Sequence, residues 1–224
     1  MRLWALAWAL DCCAMRRPLL GTAFLLAFAA PALGWLGPTE KHADLDGDGS
    51  AETIKTVRIP VPGVTDQHFD QTAVEIDATC KGAPVTKRIA GPQDNLVLMR
   101  LRNADGRKGR EVFVDLRSGA AARLGEARVV AWRHCKPRQL FRYKTDHHTR
   151  TPRGGNGDIS GFQAGYRKRK RSPRLDVVLK EQFLRKGEPL CCGSIRKTTI
   201  WRYSAARDRY FRLSSKVRYG KPVR

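Results

Sequence analysis

The chain has 224 residues and a formal net charge of +22, because 43 lysines and arginines outnumber 21 aspartates and glutamates. This length suits one domain with a hydrophobic core, or two small ones. The charge attracts anions such as wall polymers, acidic glycans, lipid headgroups or nucleic acid, without choosing among them, and no segment after residue 34 is apolar enough to predict a membrane-spanning helix.

The first distinctive segment is Met15–Gly34, which has a basic start, an apolar run and small residues at its end. This order is typical of a secretory signal peptide. We therefore predict that residues 1–34 are a signal peptide, with Met15 as an alternative start, and that the mature chain is secreted or lies at the cell surface. An uncleaved anchor is the alternative, but the apolar run is short for a membrane span of about 20 residues.

The segment His42–Lys55 carries three aspartates at alternate positions, with glycines between and after them. Carboxylates crowded in this way repel one another unless a cation neutralises them, and Ca²⁺ accepts six to eight oxygens in a flexible geometry. Glycines allow the backbone to curl around an ion. The segment therefore predicts a calcium loop, with a solvated acidic turn as the alternative.

An EF-hand loop would need an acidic residue at its twelfth position, where this segment has Lys55, and a helix after it. Instead, Thr53–Ile59 alternates like a strand. The motif Asp44–Glu52 resembles the FG-GAP/VCBS-type repeat of secreted and adhesive proteins. That resemblance implies calcium ligation by the side chains of Asp44, Asp46, Asp48 and Glu52 and by the backbone carbonyl of Ser50. We expect the weak affinity of extracellular calcium modules, about 10⁻⁴–10⁻³ M.

A second segment, Asn103–Glu111, aligns without gaps on Asp44–Glu52 and is also followed by a strand pattern. It keeps an acid or amide at three of the equivalent positions, namely Asn103, Asp105 and Glu111. Arg107, however, stands at the position of Asp48, and a fixed cation there competes with Ca²⁺ for the same carboxylates. We predict a degenerate second loop that keeps the turn and has lost the ion.

Eleven segments read as strands, and none shows sustained helical periodicity. They are Thr53–Ile59, Thr72–Ile76, Val85–Ile89, Asn95–Arg102, Val112–Leu116, Ala127–Trp132, Gln139–Tyr143, Ser160–Tyr166, Leu175–Leu184, Thr198–Tyr203 and Tyr210–Leu213. We predict a single mainly β domain over residues 35–224, with repeat-like units near 42–92 and 95–143 and a C-terminal unit at 158–213. An antiparallel open sheet, a sandwich or partial propeller-like blades would fit, because a closed propeller needs about four to eight blades.

Four cysteines follow the signal-type segment, namely Cys80, Cys135, Cys191 and Cys192. In an exported protein an even number of cysteines predicts disulfides, here two with three possible pairings. A Cys80–Cys135 bond with a vicinal bond, and two crossed pairings, all remain open. No C-x-x-C motif is present, which favours structural over redox disulfides.

The densest positive run consists of Arg167, Lys168, Arg169, Lys170 and Arg171. We predict that it forms a hairpin tip, either simply solvated or in contact with an anionic surface polymer. The aromatic residues Tyr166, Trp201 and Tyr203 would support such a contact if they shared its face. Nucleic acid is not the favoured partner, because the signal peptide directs the chain out of the cytoplasm.

No G-x-S-x-G or H-E-x-x-H motif is present, so no catalytic residue is predicted. The segment Cys191–Tyr203 resembles part of actinobacterial secreted proteins of unknown function that also carry D-x-D-G-D-G loops. The expected function is therefore that of an exported calcium-loop β protein with a structural or surface-binding role, whose basic face contacts an anionic envelope polymer or partner. The alternative is a secreted hydrolase with catalytic residues on the loops of the β domain.

Overall fold

The computed structural model describes residues 39–63, 71–94, 97–118, 124–145, 151–156, 158–189 and 192–222. The predicted signal peptide lies outside these residues. In the described part, the chain forms twelve strands and no helix, which confirms the mainly β, antiparallel prediction. Among the same residues, no helix has the length and apolarity needed to traverse a lipid bilayer.

The first sheet is an antiparallel meander of four strands that follow one another in chain order. The strands are β1 (Glu40–Ala43), β2 (Glu52–Ile59), β3 (Gln71–Cys80) and β4 (Ala83–Asp94). Along β2, buried and half-buried side chains alternate, as the sequence pattern predicts for a strand with one face in the core. The loop that carries the three aspartates therefore joins the first two strands of this sheet.

The second and third sheets are also antiparallel meanders of four strands. The second consists of β5 (Val97–Arg102), β6 (Glu111–Ser118), β7 (Leu124–Arg133) and β8 (Lys136–Lys144). The third consists of β9 (Ile159–Arg169), β10 (Ser172–Phe183), β11 (Ile195–Ser204) and β12 (Arg209–Tyr219). The degenerate loop joins the first two strands of the second sheet, whereas the basic run lies where β9 turns into β10.

The second sheet is buried on both faces, between the first and the third. Val112 and Val114 of β6 belong to the hydrophobic cluster that also contains Ile54 of the first sheet. Between them, Phe113 points to the opposite face and belongs to the cluster that contains Val177 of the third sheet. Successive side chains of a strand point to opposite faces, so one strand contributes to both interfaces. The first and third sheets are therefore the outer layers.

The strand predictions hold except at the start of the described chain. Each of the eleven predicted segments corresponds to one observed strand, with ends that differ by a few residues. The strand that the sequence did not predict is β1, Glu40–Ala43. It is short and polar and exists because it pairs with β2, with Glu40 opposite Lys55. Its position therefore depends on tertiary pairing.

A disulfide joins the first and second sheets. It links Cys80, at the end of β3, to Cys135, in the turn between β7 and β8, with a Cα–Cα distance of 5.6 Å. Cys80 is buried in the cluster between the two sheets, and Cys135 packs against it. This bond excludes both crossed pairings. The alternative of a vicinal bond falls on Cys191, which lies outside the described residues.

Candidate metal centre and charged surfaces

The loop between β1 and β2 is folded around the carboxylate of Asp44. Its Oδ1 accepts a hydrogen bond from the amide of Gly47 at 2.6 Å, and its Oδ2 accepts one from Gly49 at 3.1 Å. Both glycines have positive φ, +85° and +96°, a region that favours glycine. At Gly47 a Cβ atom would also lie 2.5 Å from Cβ of Lys108, so the close approach of the second loop requires glycine there.

The other two aspartates bend the loop in the same way. Asp46 Oδ1 accepts from the amide of Asp48 at 3.2 Å, and Asp48 Oδ1 accepts from the amide of Ser50 at 2.7 Å. As a result, one carboxylate oxygen from each of Asp44, Asp46 and Asp48 lies within 4.8 Å of the others. Asp46 and Asp48 are exposed and Asp44 is half-buried. These three side chains are near enough to one another to share one cation.

Glu52 lies beneath the loop, at the first position of β2. It is buried, and its Oε2 accepts a hydrogen bond from the amide of Leu45 at 2.6 Å. Burial raises the pKa of Glu52; the Leu45 amide opposes this effect, and the nearby carboxylates of Asp46 and Asp48 add to it. Glu52 therefore holds the start of the loop against the start of β2 through its hydrogen bond to Leu45. Calcium ligation by Glu52 and by the Ser50 carbonyl stays a prediction.

The loop between β5 and β6 makes the same pattern of hydrogen bonds. Backbone amides bind side-chain oxygens in three equivalent pairs: Ala104 to Glu111 at 2.6 Å, Gly106 to Asn103 at 2.9 Å and Arg107 to Asp105 at 2.8 Å. The two loops also touch, because the amide of Arg110 donates to the carbonyl of Asp44 at 3.0 Å. The aligned sequences therefore fold alike and lie side by side.

Guanidinium groups surround the acid of the second loop. Asp105 is buried, and its Oδ2 accepts a hydrogen bond from Nη2 of Arg133 and lies 3.9 Å from Nε of Arg107. Arg133 also binds Asp208 in the turn between β11 and β12. The charge of Asp105 is thus balanced by fixed cations of the protein, as the arginine at position 107 predicts, and Arg133 extends the contact to the third sheet.

A cleft of about 480 Å³ lies between the two loops and the turn from β7 to β8. Asp46 and Asp48 line it from the first loop, and Arg107 and Lys108 from the second. Glu111 also borders the cleft, but its side chain is almost fully buried and its Oε2 is bonded to backbone amides. The cleft thus offers two exposed carboxylates, both from the calcium-type loop, and faces them with cationic side chains of the second loop.

The carboxyl group of Glu111 has a strongly raised pKa. Burial raises its pKa to about 7, the Ala104 amide opposes this, and the adjacent Asp105 carboxylate raises it further. The folded-state pKa therefore lies above 4.5, the usual value for a glutamate in an unfolded chain. The folded protein keeps this proton at pH values where the unfolded chain has lost it, so this contribution to stability is present below pH 4.5 and is lost as the pH rises through about 7.

Replacement of Glu111 by glutamine should remove this pH dependence. The Gln oxygen can still accept the Ala104 hydrogen bond, but the side chain carries no charge to bury. The stability of Glu111→Gln relative to wild type should increase between pH 4.5 and about 7, by up to about 3 kcal/mol at about 1.4 kcal/mol per pKa unit, and then level off. Urea unfolding at several pH values measures this, with Glu40→Gln at an exposed carboxylate as the control. A constant difference between Glu111→Gln and wild type would contradict it.

The basic run is divided between a strand and a turn. Arg167, Lys168 and Arg169 belong to β9, so only Lys170 and Arg171 form the tip that was predicted for all five. Within the run, Arg167, Lys168, Lys170 and Arg171 are exposed, and Arg169 is half-buried. The aromatic support predicted for this surface is absent there, because Tyr166, Trp201 and Tyr203 pack in the core between the second and third sheets.

Two members of the run have an internal partner that the sequence did not reveal. Asp176 of β10 is fully buried and binds Nη2 of Arg167 at 2.7 Å, Nε of Arg169 at 2.8 Å and Nε of Arg202 at 3.2 Å. Burial raises the pKa of Asp176, but the hydrogen bonds from Arg202, Arg167 and Arg169 outweigh it and hold the pKa below its usual value. Arg167 and Arg169 therefore neutralise a buried carboxylate within the third sheet.

Neither a scan against protein-family models nor searches of curated proteins and of solved structures found a match for this chain. The resemblance to FG-GAP/VCBS-type repeats thus stays a prediction that depends on the motif Asp44–Glu52.

Proposed function

We propose that this protein is an exported calcium-binding β protein with a structural or surface-binding role, whose basic surface contacts an anionic polymer of the cell envelope. The observation that carries the calcium part is the convergence of Asp44, Asp46 and Asp48 in one glycine-containing loop. Export is supported by the signal-type segment Met15–Gly34 and by the Cys80–Cys135 bond, since disulfides persist in oxidising compartments.

Calcium in this site would stabilise the connection between β1 and β2. The three carboxylates repel one another across at most 4.8 Å, although backbone amides of the loop donate hydrogen bonds to them. A bound Ca²⁺ would remove this repulsion and hold the turn that starts β2. The neighbouring loop needs no ion, because Arg107 and Arg133 supply positive charge to Asp105. We therefore assign the calcium site to the first loop alone.

Calorimetric titration of the purified mature chain with CaCl₂ tests this assignment. We expect one equivalent to bind with a dissociation constant of about 10⁻⁴–10⁻³ M. At 10 mM CaCl₂ this affinity would stabilise the folded state by roughly 1.4–2.7 kcal/mol, which thermal melts would detect. Asp46→Ala should lose both effects, because the change removes one ligand and only one hydrogen bond of the loop, that to Asp48.

Glu40→Ala is the matched control, since Glu40 is an exposed acid on the adjoining strand outside the loop. It should bind calcium as the wild type does. No heat and no shift of the melting temperature at millimolar calcium would refute the metal site. Equal losses in Asp46→Ala and Glu40→Ala would show that calcium binds diffusely to surface acids.

A further inference from the structure

The two outer sheet faces differ sharply in charge. On the outer face of the first sheet the charged side chains pair with one another: Nζ of Lys55 lies 2.5 Å from Asp77, and Nη2 of Arg88 lies 3.1 Å from Glu75. Asp77 also accepts a hydrogen bond from Thr86 at 2.6 Å. This face therefore carries little net charge. The outer face of the third sheet differs from it in this respect.

The outer face of the third sheet is strongly basic. Besides Arg167, which binds Asp176, it carries four exposed cations, namely Lys180, Arg196, Lys216 and Arg218. Side chains alternate between the two faces of a strand. The adjacent residues Leu179, Lys197 and Val217 are buried or half-buried on the inner face, so the four cations lie on the outer face. Among the described residues of this face the one acid is Asp176, which is buried and already bound by three arginines. The four cations have no carboxylate partner within the described chain.

The register places these cations on a regular grid. Arg196 of β11 is directly opposite Arg218 of β12, and Thr198 lies between Lys180 and Lys216 in the next row. Like charges directly opposite each other on neighbouring strands destabilise a sheet. Lys216 and Arg218 are two residues apart on one strand, so they repeat at about 6.6–7 Å along it. The repulsion would be relieved by a ligand that brings negative charges at a similar spacing.

We propose that the outer face of the third sheet binds a linear phosphodiester polymer without bases, of the poly(glycerol phosphate) type, through Lys180, Arg196, Lys216 and Arg218. A polymer repeat of six backbone bonds reaches about 7 Å, as two extended residues do, and so matches the spacing along β12. Arginine forks bind the paired oxygens of a phosphate group. This inference rests on the surface-binding role proposed above and names its partner and its site.

Single-stranded nucleic acid has the same six-bond repeat but fits this face less well. Proteins that bind it without sequence preference use exposed aromatic rings on which the bases stack. The aromatic residue on this face is Phe211, which is half-buried and has the guanidinium of Arg207 over its ring, 6.0 Å from the centroid. Among the described residues, this face thus carries charged side chains without an open aromatic platform, which favours a polymer that consists of backbone phosphates alone.

The test compares two variants of the full mature chain that lose equal charge. The face variant changes Lys180, Arg196, Lys216 and Arg218 to glutamine; the control variant changes Lys81, Lys87, Lys136 and Lys144 to glutamine, and these four residues are exposed elsewhere. Binding of poly(glycerol phosphate) is measured by fluorescence anisotropy between 20 and 200 mM NaCl. We expect the face variant to lose at least tenfold in affinity, and the slope of log K against log salt to fall by about 3, at about 0.7 per phosphate contact.

The control variant should stay within about threefold of wild type. The face variant should also melt slightly higher than wild type, because the repulsion between Arg196 and Arg218 is gone. If the fourfold change unfolds the chain, Arg196→Gln with Arg218→Gln gives the same comparison with about half the change in slope. Comparing the two variants distinguishes binding at this face from a general effect of lower net charge.

Three results would overturn the inference. Equal losses in the two variants, or a larger loss in the control variant, would place binding elsewhere and leave the surface-binding role intact. Tighter binding of polygalacturonate or of single-stranded DNA than of poly(glycerol phosphate) would refute the choice of a base-free phosphodiester. No binding of any of the three polymers to the wild type at 20 mM NaCl would refute both this site and the surface-binding role, whereas the calcium titration would be unaffected.

Discussion

Replacing Cys80 and Cys135 together by alanine is expected to lower the free energy of unfolding by about 4 kcal/mol. The bond closes a loop with a sequence separation of 55 residues, and loop-closure entropy predicts a cost of this size when it is lost. Cys80 is also buried between the first and second sheets, so its removal takes contacts from that interface. Urea unfolding of the double variant and of the wild type measures the difference.

Reductant provides the control for this prediction. It should destabilise the wild type by a similar amount and change the double variant little, because any remaining effect would come from the other cysteines. A double variant as stable as wild type would contradict the entropy estimate. A large effect of reductant on the double variant would assign the redox sensitivity to Cys191 and Cys192 instead.

Replacing Asp176 by asparagine is expected to cost about 3 kcal/mol. The change keeps the size of the side chain but leaves Arg167, Arg169 and Arg202 close together without their common counter-ion. Removal of one partner from a buried ion pair costs about 3–5 kcal/mol. The lower end applies here, because the side chains of Arg167 and Arg202 are 47% and 37% exposed and water screens part of their repulsion.

The pH dependence gives this prediction an independent check. The folded-state pKa of Asp176 lies below 3.8, the usual value for an aspartate in an unfolded chain. Its contribution to stability is therefore present above that value and is lost as the pH falls through the folded-state pKa. The difference between wild type and Asp176→Asn should therefore narrow below about pH 4. Asp158→Asn, at an exposed aspartate, is the control and should change stability little. A difference that persists undiminished in acid would show that the carboxylate charge is not its cause.

Local patterns were sufficient for most of the secondary structure. Alternation of apolar and polar residues predicted β2, because a strand with one side against a core places every second side chain inward. Glycine and aspartate spacing likewise predicted the turn at Asp44–Glu52, where Asp44 holds the amides of Gly47 and Gly49. These are short-range interactions, so residues near one another in sequence contain the information.

The sequence also predicted that the second loop keeps its turn and balances its acid internally. Arg107 at the position of Asp48 was the signal, and its guanidinium does lie beside Asp105. The stronger partner, Arg133, was not foreseen. It is distant in sequence and reaches Asp105 only because β7 passes beneath the loop. Nothing near Arg133 in the chain marks it as a partner of either loop.

The pattern of residues thus determined the β class, the strand periods and the two aspartate-type turns. Tertiary packing decided which pairing of Cys80 forms, which arginines surround Asp176 and which sheet face is left with unbalanced charge. The physical reason is distance along the chain. Alternation and turn chemistry act within a few residues, whereas ion pairs, disulfides and the stacking order of sheets join residues whose proximity is set only when the three sheets pack together.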